Sequence, residues 1–258
     1  MPSPTDFNLS PYFDDYAESK KFHRVLFRPA FAVQARELTQ SQTILQNQVE
    51  KVSDHIFKKG AMVIPGEIGY DLNYFAVKLT SYSGTATLAN LQDVTFTGTT
   101  SGVTAKVTNS SITDGTDPDT LFVKYTNSGT SNSSTSFTDG ETITGSKTID
   151  GVVTALTAVV NTTATGAAAF VAAGTYYING FHVEVASQTI ILDKYTNTPS
   201  YRVGLTIAET FVTQNDDGTL NDNAAGSSNV NAPGAHRFKI DLTLTKLTIA
   251  SASDANFV

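Results

Sequence analysis

Residues Ala35, Leu38, Gln42, Leu45, Val49, Val52 and Ile56 follow one another at alternating steps of three and four. That spacing puts all seven on one stripe of a helix, as the a and d positions of three heptads. A helix resting on its own sheet ordinarily shows a wider apolar face, whereas a narrow a/d seam is what a helix paired with copies of itself needs. The seam therefore predicts self-association, with packing on the chain's own β-domain as the competing reading. Aliphatic residues at both seam positions are compatible with three strands, and Gln42 in the core trades stability for register.

The helix ends are read from Pro29 and Gly60. Pro29 suits a first helical position, and Arg28 before it is pushed out of the α region. Lys58 and Lys59 place positive charge at the negative end of the helix dipole, and Gly60 suits a left-handed C-terminal cap. Pro29 to Lys59 would make a rod of about 46 Å.

Before the helix, residues 1–28 interleave Pro2, Pro4 and Pro11 with Phe7, Tyr12, Phe13, Tyr16, Phe22 and Phe27. This stretch is too apolar for a free tail, so it predicts an arm that buries its rings on its own globular part or on a neighbour. Asp14 or Asp15 is placed to cap a short helix running to Leu26.

After the helix, Ala61–Gly66 reads as a short strand ending in a turn, and Tyr74 to Tyr82 alternates as a second. Residues 83–166 are dominated by Thr, Ser and Gly. Short alternating runs there (94–97, 103–107 and 121–125) are separated by turn pairs such as Asp114-Gly115 and Asp139-Gly140. The block predicts a small β-sandwich or barrel inserted into a parent β-domain made of 61–82 and 167–258. In the parent, Asn179-Gly180 is the strongest hairpin signal, joining strands within 174–185. Strands at 189–192, 201–212 and 238–249 follow, the last two separated by a long polar loop from Gln214 to Arg237. The expected fold is thus mainly β with one long N-terminal α-helix, and β-sandwich- or barrel-like domains following a coiled-coil-like stalk.

Composition narrows the function classes. The 258 residues are 40% hydrophobic, enough for a real core, and carry a net charge of −7. That charge repels nucleic acid and anionic membrane alike, and no basic run exceeds the Lys20-Lys21 and Lys58-Lys59 pairs. Neither a membrane-spanning apolar run nor a signal peptide is present, which predicts a product made in the cytoplasm. With no cysteine, disulfides, thiolate metal sites and cysteine nucleophiles are excluded.

Chemistry-bearing motifs are scarce. His23, His55, His182 and His236 are scattered and read as packing or surface residues. Asn215-Asp216-Asp217-Gly218 through Asp222 resembles a calcium loop only loosely, lacking alternate acids and the closing Glu. There is no nucleophile elbow or phosphate loop. Without a paired-carboxylate groove or any Trp, a glycosidase is disfavoured as well. No catalytic, cofactor or metal residue is assigned, and the expectation is a non-enzyme.

Tyr12-Phe13-Asp14-Asp15, Phe22 to Pro29, Ala32 to Gln40 and His55-Ile56-Phe57 together resemble the start of a family of tailed-bacteriophage baseplate and tail-fibre proteins found in cyanophages and other myophages. Leu192 to Leu205, Asp222 to Asn229 and Ala232 to Ala235 resemble later blocks of the same family. The resemblance covers about residues 10 to 80 and 174 to 249. It implies a virion protein whose N-terminal part anchors a tail fibre to the baseplate, a homotrimer with baseplate and distal fibre proteins as partners, and no catalytic residues. It also implies that the chain is the N-terminal portion of a longer fibre. Phe7, Tyr12, Phe13, Tyr16, Phe22 and Phe27 are then the expected docking residues, and Ala35 to Ile56 the expected oligomerisation seam. A glycan-binding receptor protein and, behind it, a tail depolymerase are the alternatives.

Overall fold

The structure, a computed structural model, describes residues 5–251 and 256–258, apart from the side chain of Ser131. The prolines at positions 2 and 4 lie outside the described residues. One α-helix, α1 (Ala35–Ile56), precedes twelve described strands, as the expected mainly β fold requires.

Six strands close into an antiparallel barrel. They are β2 (Ile68–Ser83), β3 (Thr95–Gly98), β4 (Thr104–Ser111), β5 (Thr120–Asn127), β6 (Thr142–Ile149) and β7 (Val152–Val171), in the spatial order β7-β2-β5-β4-β3-β6. The ring shuts because β7, at 20 residues, is long enough to serve two neighbours. Its first half pairs with β6, from Val152 opposite Ile149 to Val159 opposite Thr142. Its second half pairs with β2, from Thr157 opposite Ser83 to Val171 opposite Ile68. Alternate side chains point inward as the two-residue period demands: Phe96, Ala105, Val107, Leu121, Ile143 and Val160 are all fully buried. Closure leaves these strands without a free edge to template aggregation.

One end of the barrel is pinned by Glu141, only 5% exposed. Its carboxylate accepts hydrogen bonds from the backbone N–H of Thr100, Ser101 and Thr138 and from the Ser101 hydroxyl. Burial alone would raise the Glu141 pKa, but these donors outweigh it and hold the group below its ordinary value. Gly98 is required here, because a Cβ would stand 2.6 Å from the carboxylate.

The second body is a sheet of β1 (Met62–Ile64), β8 (Gly174–Ile178) and β9 (Phe181–Val185), packed against a two-stranded ribbon of β11 (Tyr201–Val212) and β12 (Arg237–Thr248). They share a core of Tyr176, Ile178, Val183, Leu205, Leu242 and Leu244. At the β8–β9 turn Asn179 and Gly180 have φ of 47° and 90°, the left-handed pair that a tight hairpin needs. β10 (Gln188–Asp193) lines up on the outer half of β7.

Two helix expectations are corrected. α1 runs from Ala35 to Ile56, 22 residues, rather than from Pro29 to Lys59, and is about 33 Å long. Ala30 has a φ of 65°, which breaks helical geometry directly after Pro29. The start is set instead by Gln34, whose backbone N–H donates to the Glu37 carboxylate at 2.9 Å. At the far end Phe57 is extended, so Lys58 and Lys59 lie outside the helix, and Gly60 uses its φ of 85° in the turn beyond it. No helix runs from Asp14 or Asp15 to Leu26; that stretch holds only the single 3-10 turn Glu18–Lys20.

Candidate functional site

The face of α1 turned toward the body is polar. Gln46 donates to the Gly180 carbonyl at 2.6 Å, and the Tyr177 hydroxyl donates to the Asp54 carboxylate at 2.5 Å. Thr43 donates to Asp14 at 2.5 Å, Gln40 to Asp15, and Lys51 pairs with Glu18. Ile44, at 3% exposure, is the one large apolar side chain of the helix that is buried. Burial, then the hydrogen bond to Asp54, pushes the Tyr177 hydroxyl pKa well above its ordinary value. Burial, then the Asp54 charge one turn along, raises Glu50. Hydrogen bonding and charge from Lys51 lower Glu18, and the same contact raises Lys51.

The opposite face carries the whole seam, and none of the described residues covers it. Ala35, Leu38, Gln42, Leu45, Val49, Val52 and Ile56 are all exposed, with Leu45 at 67% and Ile56 at 66%. The usual amphipathic arrangement is reversed: this helix binds its own body through hydrogen bonds and offers its apolar stripe outward. The competing expectation, that the stripe packs on the chain's own β-domain, is not what the fold shows.

The aromatic arm divides in two. Phe7 sits edge-on to Phe211 and Phe238 with ring centroids 5.8 and 5.0 Å away, and Tyr12 stacks on Phe211 at 5.0 Å. The Tyr12 hydroxyl lies 2.8 Å from Nδ1 of His236. Phe7 and Tyr12 are therefore docked on their own β11–β12 ribbon, and as expected docking residues for a separate partner they are corrected. Tyr16 is half-buried. Phe13, Phe22 and Phe27 remain exposed, and Leu26, Phe31 and Val33, which the sequence reading did not single out, are exposed beside them. The missed signal was the interleaving of apolar and basic residues from Lys20 to Val33.

The chain runs along α1 twice. Glu18 reaches Lys51 near the helix C-terminus, and residues 20–33 then return to Gln34 at its N-terminus. This returning strap and the helix enclose a groove lined by residues that include Phe22, Val25, Glu37, Gln40 and Ile44.

Other polar clusters are occupied by structure. Asp216 accepts from Thr213, Asp217 from Thr219 and Asp222 from Ala224, so the calcium-like loop uses its carboxylates to hold its own turns. Asp114 and Asp117 share Lys194, each at 3.0 Å. Backbone N–H groups of Asp117, then Lys194, hold Asp114 far below the usual carboxylate range. His182 packs against Phe57 and Tyr177. Among the described residues no three acidic or histidine side chains gather as metal ligands, and no helix is long and apolar enough to cross a membrane.

A family model described as a domain of unknown function, DUF4815, matches residues 10–136 and again 126–255. No curated protein and no solved structure matches the chain.

Proposed function

The chain belongs to the DUF4815 family, and from its own geometry we propose that it is a trimeric structural protein of a tailed-phage virion, anchoring a tail fibre to the baseplate through its N-terminal region. The observation that carries this reading is the exposed heptad seam. Five large aliphatic side chains aligned on one exposed stripe are costly to leave in water, and their a/d spacing matches a second and third copy of the same helix. Three helices joined along the seam give the assembly an axis, and the β-bodies, held to the helices by polar contacts, are carried around it. The anchoring contact then falls to the exposed apolar part of the N-terminal region, where buried rings would supply more binding energy than surface charges. The phage assignment is supported by the resemblance of the blocks from Tyr12 to Phe57 and from Leu192 to Ala235. The net charge of −7 argues for protein rather than nucleic-acid partners, and no step of this role requires catalysis.

Immunogold electron microscopy of particles of the encoding phage, with antibody raised against the purified chain, tests the placement. Label at the baseplate end of the tail is the expected result. Intact particles that carry no label would contradict it.

A further inference from the structure

We propose that the strap of residues 20–33 clasps the next copy of the chain, seating its rings in the groove between β9 and β12 of that copy. The inference rests on the trimeric reading above and names the partner of part of the same N-terminal region.

The strap is unlike the rest of the chain. It holds Lys20, Lys21, Arg24 and Arg28 and none of the 24 acidic residues. Among the described residues Lys21, Arg24 and Arg28 make no ion pair, Arg28 lying instead 4.1 Å over the Phe31 ring. Phe22 is 59% exposed and Phe27 52%. A strap both basic and apolar calls for an acceptor both acidic and apolar. The β9–β12 groove offers the apolar part in Phe181, Val183, Phe238 and Ile240, and His182 and Glu184 of β9 border it, Glu184 supplying the acid.

Helix periodicity gives the direction. At about 100° per residue, Gln46 lies about 70° round from the centre of the seam, whereas Glu37 and Ile44 lie about 110° and 130° round the other way. Gln46 touches Gly180 at the tip of the β8–β9 hairpin, while Glu37 and Ile44 face the strap. Strap and hairpin therefore flank the seam on opposite sides. In a closed ring of parallel helices one flank of each copy meets the other flank of the next, so every strap faces a neighbour's hairpin and the contact repeats three times. With the strap so occupied, Leu9 and Phe13, both exposed at 56%, remain for the baseplate.

The test replaces Phe27 with photoreactive p-benzoyl-phenylalanine in the full chain, followed by irradiation and peptide mapping. The expected products are chains joined in twos and threes through peptides of β9 or β12, with a several-fold lower yield in Glu184→Lys. Light scattering run alongside separates the two ideas. A trimer whose cross-links stay within each chain, or join other peptides, overturns the clasp and leaves the seam standing. A strap that cross-links only to a different virion protein in assembled particles overturns it too. A chain that is monomeric before irradiation removes the seam reading and the clasp together.

Discussion

The barrel and the helix spend their hydrophobic residues in opposite ways. In the barrel, Phe96, Leu121, Ile143 and Leu156 are turned inward and essentially fully buried, while Thr95, Thr97, Thr144 and Thr157, beside three of them, are exposed. In α1, Leu38, Leu45, Val49, Val52 and Ile56 face out, while Asn47 and Ser53 are buried against the body. A closed barrel satisfies its own backbone and core and needs no other molecule. A helix facing this way is stable on its body through specific hydrogen bonds yet incomplete as a surface. The contrast is between a core closed within the barrel and an apolar stripe left exposed on α1.

The largest expected effect that sharpens this comparison is on assembly. Leu45→Asp with Val49→Asp places charge at the centre of the seam, where a trimer would bury it, and should reduce the solution mass from three chains to one. Circular dichroism of the variant should stay close to wild type, because both positions are exposed within the single chain. A variant that loses its β-signal instead would show that the seam supports the fold.

Phe96→Ala works in the reverse sense. Emptying a fully buried ring position in the barrel should cost about 3–5 kcal/mol in denaturant unfolding, with the assembly mass unchanged while the chain remains folded. A change in mass without loss of stability would break the separation of roles.

Glu141→Gln should cost about 1–3 kcal/mol at neutral pH, since a buried acceptor of four hydrogen bonds loses its charge. The folded-state pKa lies below the ordinary 4.5, so the stabilisation is present above about pH 4.5 and is lost as pH falls through the folded value. Wild type and variant should therefore converge in acid. Parallel pH–stability curves would contradict this role for Glu141.

Tyr177→Phe removes the hydroxyl that ties β8 to Asp54 and should cost about 1 kcal/mol, seen as faster amide exchange in α1 rather than in the barrel. Smallest of all, Lys51→Ala breaks an exposed ion pair to Glu18 and should leave the unfolding midpoint nearly unchanged.

Much of the fold was legible in the chain. β11 begins and ends where the alternation from Tyr201 to Val212 does, and Asn179-Gly180 makes the hairpin its dipeptide announces. What was hidden is instructive. β6 showed only as the alternating stretch after Asp139-Gly140, and β7 was not recognised as one long strand, since Ala167, Ala168 and Ala169 are buried in succession, covered on both faces by separate clusters, so no alternation survives there. The expected domain edge near Gly166 falls inside β7, because that strand belongs to the barrel at one end and pairs with β10 at the other. The β6–β7 register is set locally by Asp150-Gly151, whose φ values of 49° and 81° form the tight turn that places Ile149 opposite Val152, whereas closure rests on the long-range pairing of β7 with β2. The helix ends were over-read from Pro29 and Gly60: Ala30 and Phe57 adopt non-helical backbone for tertiary reasons, including the packing of Phe57 on Tyr177. Of the candidate site, the seam was fully legible as a 3-4 repeat. Which arm rings turn inward was not, because Phe7 and Phe27 differ only in whether the β11–β12 ribbon lies within reach.

The most direct test of the outward seam is the absolute mass of the purified full chain by multi-angle light scattering across a range of concentrations. The account predicts three copies of the 27.5 kDa chain, persisting on dilution well below the loading concentration. A single-chain mass at every concentration would contradict it.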